Sequence, residues 1–541
     1  MIVDQITELV EEALDAAVRD GLLSDAPKDI VLERPRRREH GDWSTNVALN
    51  AARGNPRSLA DAIVARLPDS DLVDRADVAG PGFINFHLSR RWLHDVVRRA
   101  ADQASSFGRA TTGRDKRVNV EYVSANPTGP MNAVTGRHAV VGDAIANLLA
   151  AAGHDVVREY YINDSGRQVR LFVESVAVRY LQQLGVDVEL PEDGYKGDYV
   201  IGLARDLVEK VGDGYRDAST SEIADELVDV VIGAMVDQIR ASLERFGTSF
   251  DVWFSERSLH EGRIDEAIDE LRARGVTEER DGALWLLSTR YGDDKDRVLV
   301  RSNGAPTYTA ADAAYLMNKF DRGFDNLIYL WGADHHGTVA RLLAIGEALG
   351  YKRGAIEVLL MQLVTLSGVK GSKRAGVYVS LDGLVDEVGR DAARYTFLTR
   401  SIDVPLDFDL ELAKEQAPEN PVFYVQYAHA RICSVLRKAA AEGARAGPAL
   451  DLLVHPSEDA LMRKLAAFEE LVPEAAAARA PQRVPRYVEE LASDFSAFYR
   501  DSRVVSDDAD LTGARLTLCV ATKRVIADAL ALLGVSAPER M

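Results

Sequence analysis

Arg117-Val-Asn-Val-Glu-Tyr-Val-Ser-Ala-Asn126-Pro-Thr-Gly-Pro-Met-Asn132-Ala-Val-Thr135 is the stretch on which the fold turns. Arg117 to Ser124 has strand character, and Pro127, Gly129 and Pro130 break it. Apolar residues then return at helical spacing, with Val141, Ile145, Leu148, Leu149 and Ala152 on one face. Gly153 stands where a helix C-terminal cap is expected, and Asp155 to Ile162 (DVVREYYI) opens a second strand. Strand, loop, helix and strand in that order make half of a doubly wound α/β fold. Ligands gather at the carboxyl ends of the strands in such sheets, and backbone N–H groups at a helix start receive anions.

A second loop, Gly368-Val-Lys-Gly-Ser-Lys-Arg-Ala-Gly376, follows the strand-like apolar run Leu359 to Leu366. Alone, a Gly/Lys/Ser run reads as a solvated surface turn. With the first loop upstream, its two ammonium groups read as cations able to close over a polyphosphate. Two loops that meet across a sheet to hold one nucleotide point to an enzyme that uses ATP.

The 541 residues allow several domains, and 47% hydrophobic with 28% charged residues is ordinary for a globular protein. No apolar run approaches the ~20 residues that span a bilayer. The two cysteines, Cys433 and Cys519, form no metal-spacing motif, and a reducing cytoplasm is the expected location. A net charge of −20 opposes RNA binding overall, but it does not describe a local patch. Arg34-Pro-Arg36-Arg37-Arg38 is a concentrated basic turn, and Arg90, Arg91, Arg98 and Arg99 can share a helix face. Each cluster reads equally as RNA contact or as a solvated face.

Glu121-Tyr-Val-Ser-Ala-Asn-Pro-Thr-Gly-Pro130, then Gly142-Asp143, then Glu159-Tyr-Tyr-Ile-Asn-Asp-Ser-Gly166 resembles the arginyl-tRNA synthetases, a family of class I aminoacyl-tRNA synthetases. The likeness continues through Glu39-His-Gly-Asp-Trp-Ser-Thr-Asn46, Gly80-Pro-Gly-Phe-Ile-Asn-Phe86, Trp331-Gly-Ala-Asp-His-His-Gly337, Gln426-Tyr-Ala-His-Ala-Arg431 and the ending Leu533 to Met541. It implies a multidomain α/β protein. Residues 1–110 would form an α+β domain that touches tRNA away from the anticodon. Residues 111–395 would form a Rossmann-like catalytic domain with a helical insertion at about 185–290. Residues 396–541 would form an all-α anticodon-binding bundle.

The resemblance also exposes departures. Where the class I signature has His-x-Gly-His, this chain has Asn132-Ala-Val-Thr135, and Lys370-Gly-Ser372-Lys373 stands for Lys-Met-Ser-Lys. Asn132 and Thr135 can each donate a hydrogen bond but carry no charge. His138 lies three residues further on, and the Gly142-Asp143 anchor argues against shifting the register to reach it. The family implies that Lys370, Lys373, Asn132 and Thr135 act on the phosphates, and that Pro127, Thr128, Gly129, Gly332, Asp334, His335, His336 and Ser372 hold ATP, which brings Mg2+.

Arginine offers a planar guanidinium with five donors, so its pocket needs carboxylates. Tyr308 and Asp312, four apart at a helix start, face the same way. In the family's pattern Glu121 and Asn126 stand beside the amino-acid head, with Tyr308 and Asp312 at the guanidinium. Asn163, Asp164 and Gln168 follow the second strand and are further candidates to line the site. Arg36, Arg37, Tyr427 and Arg431 are the implied tRNA contacts. Adjacent histidines at 335 and 336 point apart, with no third ligand at spacing, so no protein-held metal is expected. The implied partners are L-arginine and tRNA(Arg), with a monomer as the working state. Two other readings stay open: a paralogue with a non-tRNA acceptor, and a non-catalytic tRNA-binding regulator.

Overall fold

The computed structural model describes residues 2–35, 37–102, 106–367 and 379–541. Arg36, Lys370, Ser372 and Lys373 lie outside these residues.

The first part of the chain comprises α1 (Ile2–Arg19), β1 (Leu32–Glu33), β2 (Trp43–Thr45), α2 (Val47–Ala51), α3 (Pro56–Val64), β3 (Val73–Ala79), β4 (Phe83–Leu88) and α4 (Arg90–Asp102). Its strands form an antiparallel sheet in the order β1-β2-β4-β3. Ile2, Ile6, Val10 and Leu14 of α1 are buried, one face of an amphipathic helix.

The middle of the chain opens with β5 (Arg117–Glu121), α5 (Ala133–Ala151), β6 (Asp155–Ile162) and α6 (Gly166–Gln183). The helices α7 (Asp198–Val211) and α8 (Thr220–Arg245) follow, then β7 (Val252–Ser255), α9 (Arg263–Ala273), β8 (Thr277–Arg280), β9 (Ala283–Leu286) and β10 (Arg297–Val300). Next come α10 (Tyr308–Asp321), β11 (Asn326–Gly332), α11 (His336–Ala348), β12 (Ile356–Met361) and β13 (Val364–Ser367). Five parallel strands form the main sheet in the order β12-β11-β5-β6-β7. The connection through α5 leads from β5 to one side and β11 lies on the other, so a ligand crevice opens between β5 and β11. Between 185 and 290 the chain is helical through α7, α8 and α9 but not throughout, because Val252–Ser255 joins the main sheet and β8 and β9 pair with β10 in a small antiparallel sheet. The apolar run 359–366 contains two strands, with the break at Gln362 and Leu363.

Alternation along the strands sorts the core. Ile328 and Leu330 of β11 face the α5 side, while Leu327 and Tyr329 pack with α10. Val140, Val141, Ile145, Leu148 and Leu149 of α5 are almost wholly buried, each contributing roughly 1.5–3 kcal/mol. Gly142 is required because a Cβ there would meet the Tyr122 ring at 2.2 Å. Its neighbour Asp143 pairs with the fully buried Arg394, which also donates to Leu533 O at 3.0 Å, Phe246 O at 3.1 Å and Gly247 O at 2.9 Å.

The chain ends in α12 (Leu381–Val388), α13 (Arg390–Phe397), β14 (Leu406–Asp409), α14 (Leu410–Lys414), α15 (Pro421–Ala441), α16 (Pro456–Ala466), α17 (Phe468–Ala477), α18 (Arg483–Asp501) and α19 (Ala509–Leu532). β14 interrupts the helical pattern because β13 supplies it a parallel partner more than forty residues upstream. Helix α15 starts at Pro421, with proline in the first turn, where its missing N–H costs nothing.

Candidate active site

The crevice between β5 and β11 is a cleft of about 650 Å3. Its floor begins where β5 ends abruptly. Val123 and Ser124 have φ of 69° and 41°, and the Ser124 N–H donates back to Tyr122 O at 3.0 Å in a γ-turn. A β-branched residue in the left-handed region is strained, and the surrounding sheet holds it there. The turn sends residues 124–126 along the cleft wall.

One end of the cleft is acidic. Register places Glu121 between Tyr329 of β11 and Glu159 of β6, so all three side chains leave the same face of the sheet, the face that α10 covers. Tyr315 and Lys319, four apart on α10, meet them there. Lys319 is fully buried and donates to Glu121 Oε2 at 2.6 Å, and the Tyr315 hydroxyl lies 2.8 Å from the same oxygen. Glu159 accepts from Asn119 at 2.9 Å and from Arg322, and its Oε1 lies 2.5 Å from the Tyr315 oxygen, so the single phenolic proton is shared between Glu121 and Glu159. Burial alone would raise the Glu159 carboxyl, but Lys319, Tyr315 and Arg322 together hold it below its ordinary value.

Asp312 and Glu256 complete the acidic end. Asp312 Oδ2 accepts from Arg341 at 3.0 Å, and its side chain keeps 35% of its surface open to the cleft. Burial pushes its carboxyl up to about 6; Arg341 opposes this, while Glu256 and Glu121 add to it. Glu256 accepts from the Ser165 hydroxyl at 2.6 Å. Three carboxylates against Lys319 and Arg341 leave one excess negative charge, the deficit that a guanidinium would fill. Tyr308, the first residue of α10, is 65% exposed and lies over the mouth. Asn126 donates to Gln168 at 2.9 Å and accepts from Asn163 at 3.2 Å, an amide chain along the rim.

The other end lies at the start of α5. Asn132 caps that helix, its Oδ1 accepting both the Thr135 backbone N–H and hydroxyl at 2.7 Å. The hydroxyl expected to donate outward is thus spent within the pair, and the Asn132 NH2 is the donor that remains. The helix start is tied to the segment that leads into α12: Ala133 N donates to Val379 O and Leu381 N to Met131 O, both at 2.9 Å. His138, Leu330, Trp331, Gly332, Asp334 and His335 also line this end, and the His335 ring sits 5.9 Å from that of Trp331. Burial, then the neighbouring Arg137 charge, push His138 down to about 4.

Several candidates lie elsewhere. Pro127, Thr128 and Gly129 do not line the cleft, because Tyr199 of α7 packs over that loop and donates to Thr128 O at 2.9 Å. His336 opens α11 and is exposed outside the cleft. Asp164 turns away to Ser255 and Arg257. Arg37 is exposed and pairs with Glu39 at 3.3 Å. Arg34 is held by Glu470 at 2.7 Å, Arg99 by Glu469 at 2.8 Å and Arg90 by Asp459 at 3.7 Å, all on the C-terminal helices. These arginines therefore clamp the two ends of the chain together. On α15, Arg431 donates to the Tyr427 hydroxyl at 2.9 Å, lies 4.6 Å from that ring and 5.6 Å from Tyr499, and both tyrosines are exposed.

Sequence reasoning missed Glu256, Lys319, Arg341 and Tyr499. Only Lys319 carried a signal: an ammonium seven residues after Asp312, on a helix already assigned to the pocket.

Comparison with known proteins agrees along the whole chain. Residues 4–88 match the arginyl tRNA synthetase N terminal domain, 98–402 the class I (R) tRNA synthetase catalytic domain, and 425–541 the DALR anticodon binding domain. The arginine–tRNA ligase of Heliobacterium modesticaldum is 47% identical over 554 residues, covering 99% of this chain and 98% of its own length. That of Carboxydothermus hydrogenoformans is 47% identical over 540 residues, covering 97% of each. The Thermus thermophilus arginyl-tRNA synthetase structure has a TM-score of 0.77 at 24% identity, covering 99% of this chain and 100% of that one, a likeness of fold. A crevice with an acidic end and a helix start, in a chain matched throughout by these relatives, belongs to the arginyl-tRNA synthetase family, the class I ligases that use ATP to join arginine to tRNA.

Proposed function

We propose that arginine lies with its guanidinium among Glu121, Glu256 and Asp312 under Tyr308, with Asn126 beside its head, and that the ATP phosphates lie over the start of α5. The observation that carries this reading is the single excess negative charge at one end of a cleft whose other end is a helix N-terminus. The arginine carboxylate then attacks the α-phosphorus in line. A carboxylate-oxygen-to-phosphorus bond forms, the α-to-β bridging bond breaks, and pyrophosphate leaves from arginyl-adenylate. A ribose hydroxyl at the 3′ end of tRNA attacks the activated carbonyl next, giving the ester and AMP.

Such chemistry needs placement and charge stabilisation rather than a protein nucleophile. The Asn132 amide and the N–H groups opening α5 meet the phosphates, and Lys370 and Lys373 neutralise the leaving pyrophosphate. Mg2+ enters as part of the MgATP substrate. Asp334 and His335 face the adenosine side. Arg431 with Tyr427 and Tyr499 offers a cation between exposed rings, suited to stacking unpaired bases of tRNA. We assign a cytoplasmic location, in keeping with two unbridged, buried cysteines, and take a monomer as the working state.

Arginine-dependent ATP–pyrophosphate exchange, run with and without tRNA and followed by charging, tests the reading. Exchange with stable arginyl-tRNA is the expected result. Exchange without charging would point to another acceptor, and tRNA binding with neither activity would mark a non-catalytic copy.

A further inference from the structure

Asn132, Thr135 and His138 all line the cleft and stand at successive intervals of three residues, so they run as one line inward from the start of α5. The first two are tied to each other. His138 instead donates a ring N–H toward the Leu330 carbonyl at the end of β11, with Asp334 and His335 nearby. A neutral imidazole that gives its one N–H to a carbonyl keeps a lone pair on its other nitrogen, which can only accept. Burial and the adjacent Arg137 keep the ring in that neutral form at working pH.

We propose that His138 binds the nucleoside part of ATP, its free ring nitrogen accepting a hydrogen bond from a ribose hydroxyl or the adenine amino group. This rests on reading the cleft as the ATP site. Phosphate oxygens require donors or cations, so a neutral acceptor is the wrong partner for them. Position agrees with chemistry. His138 lies six residues into the helix from Asn132, roughly 9 Å along its axis, beyond the phosphates that the helix start receives. The ring therefore does not stand in for the missing signature histidines. It recognises a different part of the same nucleotide.

The test is ATP–pyrophosphate exchange by the full chain and by His138→Ala, using ATP, 2′-deoxy-ATP, 3′-deoxy-ATP and purine riboside triphosphate, which lacks the amino group. One analogue should cost the unmutated enzyme roughly five- to tenfold in kcat/KM, the worth of one neutral hydrogen bond. His138→Ala should raise KM for ATP by a similar factor and cease to distinguish that analogue, with KM for arginine within twofold. The analogue that loses its penalty identifies the donor. A variant that discriminates as the unmutated enzyme does would overturn the proposal, as would a loss confined to kcat. His138→Gln keeps an acceptor and should keep the discrimination; if it folds and loses it, the assignment fails. Unmutated enzyme inactive with every nucleotide would sink the ATP-site reading itself.

Discussion

The two ends of the cleft are built on opposite principles. At the acidic end three carboxylates have fixed counter-charges, Lys319 on Glu121, Arg322 on Glu159 and Arg341 on Asp312, and Glu256 is held by the Ser165 hydroxyl. At the other end the described residues offer mostly backbone N–H groups, one amide, a neutral imidazole and exposed Asp334 and His335. A guanidinium is small, rigid and always charged, so its site can be assembled in advance by a buried ion network. A triphosphate changes charge distribution during reaction, and donors at a helix start serve it without a permanent counter-charge to desolvate.

The contrast predicts unequal sensitivity to mutation. The largest effect is expected from Lys319→Met, which strands Glu121 in the core and should cost about 3–5 kcal/mol of stability by urea denaturation. A loss under 1 kcal/mol would show that the network is not the support described. Asp312→Asn removes one guanidinium partner without emptying space. It should raise KM for arginine about 30-fold or more while leaving KM for ATP nearly unchanged; an equal rise in both would erase the division of the cleft.

A smaller effect follows from pH. Asp312 titrates near 6 in the free protein, above the ordinary carboxylate value. In the fold it keeps its proton where the unfolded chain has lost it, so it lowers stability as pH rises between about 4 and 6. Arginine needs the ionised form, so KM for arginine should be flat above about pH 6.5 and rise up to tenfold per unit well below 6. Arg341→Met should move that midpoint upward, since the ion pair favours ionisation. The smallest effect belongs to Asn132→Ala, which removes a helix cap worth about 1 kcal/mol. It should slow exchange without changing KM for arginine.

The acidic end was half legible in sequence. Glu121 lay on a recognisable strand, and Tyr308 and Asp312 shared a helical spacing, so local periodicity found them. Glu256 and Arg341 arrive from other elements, and nothing in their own neighbourhoods distinguishes them from solvated charges. The strand-loop-helix-strand unit was legible because the apolar period changes at Pro127–Pro130 and Gly153 closes the helix. The ion pairs of Arg34, Arg90 and Arg99 were not legible for the converse reason: their carboxylate partners stand some 369 to 436 positions downstream. Pro127 and Gly129 read as a phosphate loop because such residues open turns, but Tyr199 from a distant helix occupies the space above them.

Arg394 receives Asp143 from the helix that starts at the nucleotide end, carbonyls from the turn after α8, and the carbonyl of Leu533 beyond the last helix. Gly534 follows at φ 66°, where any Cβ would lie 2.1 Å from the guanidinium. One side chain is thus a keystone on which three stretches lean, and the C-terminal bundle cannot swing away from the catalytic sheet as a loose appendage. To move, it must first pull that stone.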